Sequence, residues 1–313
     1  MTSFSVRSLF LKGGMLLFLC LLLLFPASAL SGAKNGLLLW FHQVLPSLLP
    51  FLILSTLFLS TGLSDSLAYR LSPFLSPIFK CSPSGCYAIV IGLLAGLPVG
   101  AKTVASLVEC GQITKEEGQY LLPLCNNPSP LFLLGYVSVS VLNAPSLRYP
   151  LLFIVILSSM LSAALLRPKN AVLFSARQSR PKQHTKKFSF SFLLLDSAIE
   201  QAFSVLTRVG GYIILFSVLA EFLTKMPLPP LFRACVGSFL EITTGSTALA
   251  ALPLEKNILI PLVTAFIAFG GLSAGAQTKS VLAGSGLPFA HYLLTKAAAA
   301  VFAGALMFLY LRI

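Results

Sequence analysis

The sequence predicts an all-α, polytopic membrane protein, and three observations carry that expectation. Only 10% of its 313 residues are charged while 56% are apolar, against about 25% charged in soluble domains. Runs such as 13–33 and 43–64 contain no acid or base, and each is long enough, at 1.5 Å rise per residue, to cross a hydrocarbon core of about 30 Å. The third observation is where the net charge of +13 sits. Seven basic residues, Arg167, Lys169, Arg177, Arg180, Lys182, Lys186 and Lys187, follow one another without an acid. That is the pattern of a cytoplasmic loop touching anionic lipid, so lipid rather than nucleic acid is the expected partner of the charge.

Taken in order, the amino terminus has Arg7 and Lys12, an apolar stretch from Leu16 to Phe25, and then Ala27-Ser28-Ala29. Residues 1–35 therefore read as an N-terminal membrane helix or a signal-like segment. Further membrane segments are expected near 37–60, 86–108, 119–142, 149–166, 209–224, 231–252, 257–278 and 288–311, after a first one at 9–30. Residues 188–207 read as an interfacial lead-in, with Asp196, Glu200 and Arg208 punctuating apolar positions. The resulting division is a first repeat at 36–166, a basic cytoplasmic loop at 167–190 and a second repeat at 191–313.

Parity adds a constraint. If the amino terminus is inside and the first five segments all cross, the basic loop falls outside, against the positive-inside rule. One segment must turn back, and 86–110 is the candidate because Gly96-Leu97-Pro98-Val99-Gly100 interrupts it. A second break falls at Cys125-Asn126-Asn127-Pro128-Ser129-Pro130, where Asn127 can cap a half-helix with Pro128 at its first position. The carboxyl half repeats the order, with breaks at Glu241-Ile242-Thr243-Thr244-Gly245 and at Gly270-Gly271-Leu272-Ser273-Ala274-Gly275. If 231–252 is also re-entrant, the helices at 37–60 and 209–224 run oppositely. The expected fold is then two inverted-topology repeats, each with a re-entrant or broken helical hairpin, as in many secondary transporters.

Irregular backbone at membrane depth is tolerated where protein or a watery cavity meets its polar groups, so the breaks are where binding is expected. Glu241 sits in an apolar segment, where an acid costs about 2.5–3.5 kcal/mol on insertion scales. It can bind a cation, exchange a proton, or pair with Lys102; a static buried ion pair or a glutamate reaching water is the plain alternative. Lys102 follows the first break beside a new helix amino terminus, where negative charge is favoured; snorkelling is its alternative. Asn126, Asn127 and Ser129 at the second break, with Thr243, Thr244, Ser246, Ser273 and Gln277 in the other half, suit a polar small molecule, or else cap helices and bond between them. Gly271 and Gly275 satisfy GxxxG and can serve close packing alone. Gln43, Pro46 and Pro50 read as structural, and Glu109, Lys115, Glu116 and Glu117 as a solvated loop cap. No nucleophile–base set, phosphate loop or metal motif is legible, and the six cysteines form no CxxC pair, so neither an enzyme nor a metal or other cofactor is expected. A coupling proton or sodium ion stays open, as does a homo-oligomer.

Several of these stretches resemble the YlbJ-like sporulation integral membrane proteins. They are Leu39-Trp40 with Val44-Leu45-Pro46-Ser47-Leu48-Leu49-Pro50-Phe51, Gly92 to Lys102, Ser129-Pro130-Leu131-Phe132, Phe239 to Gly245, and Gly270-Gly271-Leu272-Ser273. The resemblance spans roughly 36–300. It implies a nucleoside-recognition, or Gate, domain and small-molecule permeation in spore-forming bacteria, with dipicolinate as the suggested substrate and a forespore or mother-cell membrane as the place. It equally implies an alternative, a nontransporting scaffold or assembly factor in spore maturation.

Overall fold

The structure, a computed structural model, describes residues 6–61, 63–168 and 191–313. Among them it is helical, with no strand. Helix α1 (Val6–Leu24) stops at Phe25, because Pro26 opens α2 (Pro26–Leu39) and brings no N–H to continue the ladder. Lys12–Leu24 and Pro26–Val44 meet at 103°, so the bend falls inside the segment expected at 9–30, and the next helix starts at 26 rather than 37. A π-helical turn, Trp40–Val44, closed by Leu45 N–H onto the Trp40 carbonyl, joins α2 to α3 (Leu45–Thr61). α4 (Leu63–Phe79) was not singled out by hydropathy; its polar positions and Pro73 and Pro77 hide it.

Ser82 caps α5 (Pro83–Ala95), accepting from Gly85 N–H at 3.1 Å. Gly96, at φ +76°, and a cis Leu97–Pro98 bond then turn the chain into α6 (Val99–Glu109). α5 and α6 fold back on each other as a hairpin: a Cβ on Gly100 would lie 3.0 Å from Gly92 Cα, and one on either glycine would strike Cys125 backbone. Next come α7 (Lys115–Cys125), the break at 126–129, a π-helical stretch (Phe132–Val141) and α8 (Arg148–Leu165). Thr114 caps α7. Glu117 is not solvated, contrary to expectation: it is 2% exposed and accepts Ser82 N–H at 2.6 Å, tying the starts of α5 and α7 together.

Residues 192–207 continue into the apolar span as one helix, α9 (Phe192–Leu223), with Asp196, Glu200 and Arg208 on its exposed side and Ala198, Ala202, Val205, Leu206, Val209 and Ile213 on its buried stripe. α9 packs antiparallel to α2: Cβ positions on Gly32 and Gly36 lie 2.8 Å from Val218 Cα and Ile214 Cα, and Trp40 covers Gly210 while its Nε1–H donates to the Leu206 carbonyl at 2.9 Å.

The carboxyl half repeats the order of elements. α10 (Pro230–Leu240) and α11 (Ile242–Ala250) form a hairpin about Glu241, so tight that a Cβ on Gly245 would strike Ser238 backbone. α12 (Lys256–Phe269) and α13 (Gly271–Val281) form one crossing interrupted at Gly270, at φ +93°. α14 (Phe289–Tyr310) closes against α8 and α12. Gly271 does serve close packing, against Ile242 and the Leu240 carbonyl, whereas Gly275 makes ordinary contacts to Leu293 and Phe289.

Four helical stretches are long and apolar enough to cross a bilayer alone, and up to six spans result if each of two bent helix pairs is one span, among the described residues. The chain is an all-α, multi-pass membrane protein. One apolar core gathers around α5, α6, α7 and the middle of α9, the other around α8, α12 and α14. Of the basic loop, Arg167 is described, 4.7 Å over the Tyr120 ring; its other six cations lie outside the described residues, and with them the expected cytoplasmic contact.

Candidate functional site

Four helix breaks face one space. α6, the helix after Ser129, α11 and α13 each start at a break, and Leu97, Pro128, Ser129, Glu241, Thr243, Gly270 and Ser273 from those breaks line one cavity. Leu48, Val209 and Ile213 from one apolar core and Ile242 from the other complete much of its wall. The breaks are stitched together within the first half by Leu97 N–H donating to the Asn127 carbonyl at 2.7 Å.

The caps differ. Ser129, not Asn127, caps the helix of the second break, its Oγ accepting Phe132 N–H at 3.3 Å. At α11 the cap is Glu241, 3% exposed, whose Oε2 accepts Thr243 N–H at 2.9 Å, Thr244 N–H at 2.7 Å and the Thr244 hydroxyl at 3.0 Å. Its Oε1 takes no hydrogen bond among the described residues. α6 and α13 follow Pro98 and Gly270 without a side-chain cap. At α6 the Gly100 N–H is met by the Gly96 carbonyl at 3.0 Å, so it is the first-turn N–H groups and positive dipole end of α13 that remain open to an acceptor among the described residues. Gln277, 4% exposed, donates from Nε2 to Ser273 Oγ at 3.2 Å, while its buried Oε1 has no partner among the described residues. The cavity thus offers the bare amino terminus of α13 for an acceptor, and Glu241 and Gln277 oxygens for a donor.

Of the residues expected at the site, Ser129, Glu241, Thr243, Ser273 and Gln277 line this cavity. Thr244 faces a wider vestibule of about 670 Å³, which shares Gln43 and Thr243 with the cavity and also meets His42, Tyr136, Glu221 and Arg233. Lys102 lines neither, and its charged neighbour is Arg208 rather than Glu241, so the expected Lys102–Glu241 pair is not made. Asn126 and Asn127 stand one layer behind the wall: Asn126 Nδ2 donates to Thr278 Oγ1 and to the Tyr292 hydroxyl, both at 2.8 Å. Asn127 Oδ1 accepts from Ser159 at 2.7 Å and from Lys296 Nζ at 2.9 Å.

Lys296 is the residue the sequence argument missed. It is 0% exposed, and among the described residues no carboxylate pairs with it. Its signal was present, a lone cation between Thr295 and an alanine run inside an apolar segment, where an ionisable group is costly unless it has a task. Gln43, taken as structural, lines the cavity, because the π turn at Trp40–Val44 shifts the facing side chains.

The chain is 27% identical, over 320 aligned residues covering 91% of it and 78% of the relative, to the sporulation integral membrane protein YlbJ of Bacillus subtilis (strain 168). The chain is YlbJ-like. All the breaks that build the cavity fall within a likeness of this extent. No family model and no solved structure matches the YlbJ-like chain.

Proposed function

We propose that the chain is a membrane permease for a small polar or anionic metabolite, acting in sporulation. The observation that supports this most is the meeting of four helix breaks, two from each half, around one cavity. In carriers built from inverted repeats, discontinuous helices hold substrate in this way, and the matching order of elements in the two halves favours an inverted relation here as well. The printed name of the relative, a sporulation integral membrane protein, supports the setting. Dipicolinate, a rigid aromatic dianion, suits the uncapped start of α13, with Lys296 adding positive charge behind the wall. The free oxygen of Glu241 suits a coupling proton or sodium ion, and no catalytic step is required of any residue.

The test is uptake by purified protein in proteoliposomes, with dipicolinate, other aromatic acids and nucleosides offered separately. Saturable uptake of one of these, impaired by Glu241→Gln, is expected. A folded, monodisperse protein that moves none of them overturns the permease in favour of a scaffold in spore assembly, for which normal dipicolinate content in spores of a deletion strain with a faulty coat or cortex would be the sign.

A further inference from the structure

α9 passes the cavity at Val209 and Ile213. Towards its carboxyl end, Ser217, Ala220, Glu221 and Thr224 line the wide vestibule. Towards its amino end lies a different, narrow crevice with room for about one water, lined by Pro98, Val205, Arg208, Val209, Tyr212, Gln277, Ser280 and Val281. Val209 and Gln277 belong to both this pocket and the central cavity, so a single layer of side chains separates them. Pro98, the hinge of the α5–α6 hairpin, forms part of the same layer on the outer side.

The charge beyond that layer is of one sign. Arg208 is exposed, held by Ser204 through its Nε and a terminal nitrogen, and lines the small pocket. Lys102 is half-buried one turn into α6, its N–H bonded to the Pro98 carbonyl at 3.0 Å, and lies within electrostatic reach of Arg208. Two cations within reach of each other cost repulsion, and Arg208 of this pair lines the narrow end of a path to the cavity.

We propose that Arg208 and Lys102 are the charge filter of a second mouth to the central cavity, closed in this structure by Val209 and Gln277. The deduction deepens the permease proposal: the vestibule is the open side, and the Arg208 side is the closed side that admits anions when the layer parts. A focused positive potential at a narrow mouth raises the arrival rate of anions and lowers that of cations. This also gives Lys102 a task away from the cavity it does not line.

The experiment reads access without any transported substrate. Cys20, Cys110 and Cys235, the exposed and half-buried native thiols, are replaced by serine, and Ala274→Cys places a reporter on the cavity wall. Sealed vesicles of either orientation are treated with membrane-impermeant methanethiosulfonates, one sulfonate and one quaternary ammonium. From the vestibule side the reporter is labelled. From the Arg208 side it is labelled slowly, faster by the anionic reagent, and Val209→Ala or Gln277→Ala raises that rate about tenfold or more. Arg208→Glu with Lys102→Glu inverts the preference between reagents, again by about tenfold or more. Vestibule-side labelling serves as the folding control in every variant. The proposal is overturned if the layer variants leave Arg208-side labelling unchanged, or if charge reversal leaves the reagent ratio unchanged. A protein that shows these labelling patterns yet moves no metabolite keeps the mouth and loses the permease, so the two failures are distinct.

Discussion

Replacing Glu241 by glutamine and by alanine separates the two tasks of its carboxylate. Oε2 accepts three hydrogen bonds at the start of α11. Bonds to a charged acceptor are worth about 1.5–3 kcal/mol each and neutral ones about 0.5–1.5, so glutamine gives up about 1 kcal/mol at each of the two backbone N–H groups. Relief from burying an acid, about 2.5–3.5 kcal/mol on insertion scales less the cost of a buried amide, offsets much of that loss. Alanine has no such acceptor and leaves the Thr243 and Thr244 amides unmet, at about 1–3 kcal/mol each. Unfolding in mixed micelles of increasing SDS fraction, followed by far-ultraviolet circular dichroism, therefore places Glu241→Gln within about 2 kcal/mol of the native chain and Glu241→Ala, which gains the same relief but leaves both amides unmet, about 2 kcal/mol below Glu241→Gln. Uptake measured on the same preparations falls about tenfold or more in the glutamine variant, because the oxygen left for a ligand has lost its charge; tenfold corresponds to about 1.4 kcal/mol. An alanine variant as stable as the glutamine variant would refute the cap, and a glutamine variant with full uptake would refute the ligand role.

Lys296→Met removes a buried cation whose partner is a neutral amide, so stability holds or rises in the same unfolding assay while uptake of an anion falls; an unfolded variant would make the ammonium structural. Gly245→Val drives a side chain into Ser238 backbone and is expected to abolish monodisperse protein on size exclusion, whereas the same change at Gly211, which has open space, is tolerated. Trp40→Ala costs about 3–5 kcal/mol by unfolding, and Trp40→Phe about 1 kcal/mol for the lost bond to the Leu206 carbonyl. Glu117→Ala strands the Ser82 N–H and costs about 1–3 kcal/mol.

What was legible in the sequence were the places where backbone geometry is set covalently. Gly96 with Pro98, Pro128 with Pro130, and Gly270 interrupt apolar runs, and a chain lacking a donor or needing positive φ must bend wherever the rest of the fold goes. The direction of side chains was much less legible. Lys102 lies one turn past a break, as expected, yet α6 buries Val99, Gly100, Ala101 and Thr103 and turns Lys102 towards Arg208. Asn127 sits in the expected break, but the half-helix begins two residues later at Ser129, which frees Asn127 to receive Lys296 from a helix 169 residues away. Such a partnership depends on how α14 packs beside α7 and α8, and no local pattern encodes it. The polar positions along 192–207 mark one exposed side of a helix that runs on unbroken into the apolar span, a continuity the sequence pattern did not reveal.

The most direct measurement is dipicolinate uptake into proteoliposomes carrying the purified chain, with aromatic acids and nucleosides as parallel probes and Glu241→Gln as the paired variant. A cavity built where four helix breaks meet to hold a small metabolite gives saturable uptake of one of these compounds, lost in large part on removing the Glu241 charge. A folded protein that transports none of them, or one whose uptake ignores Glu241, contradicts it.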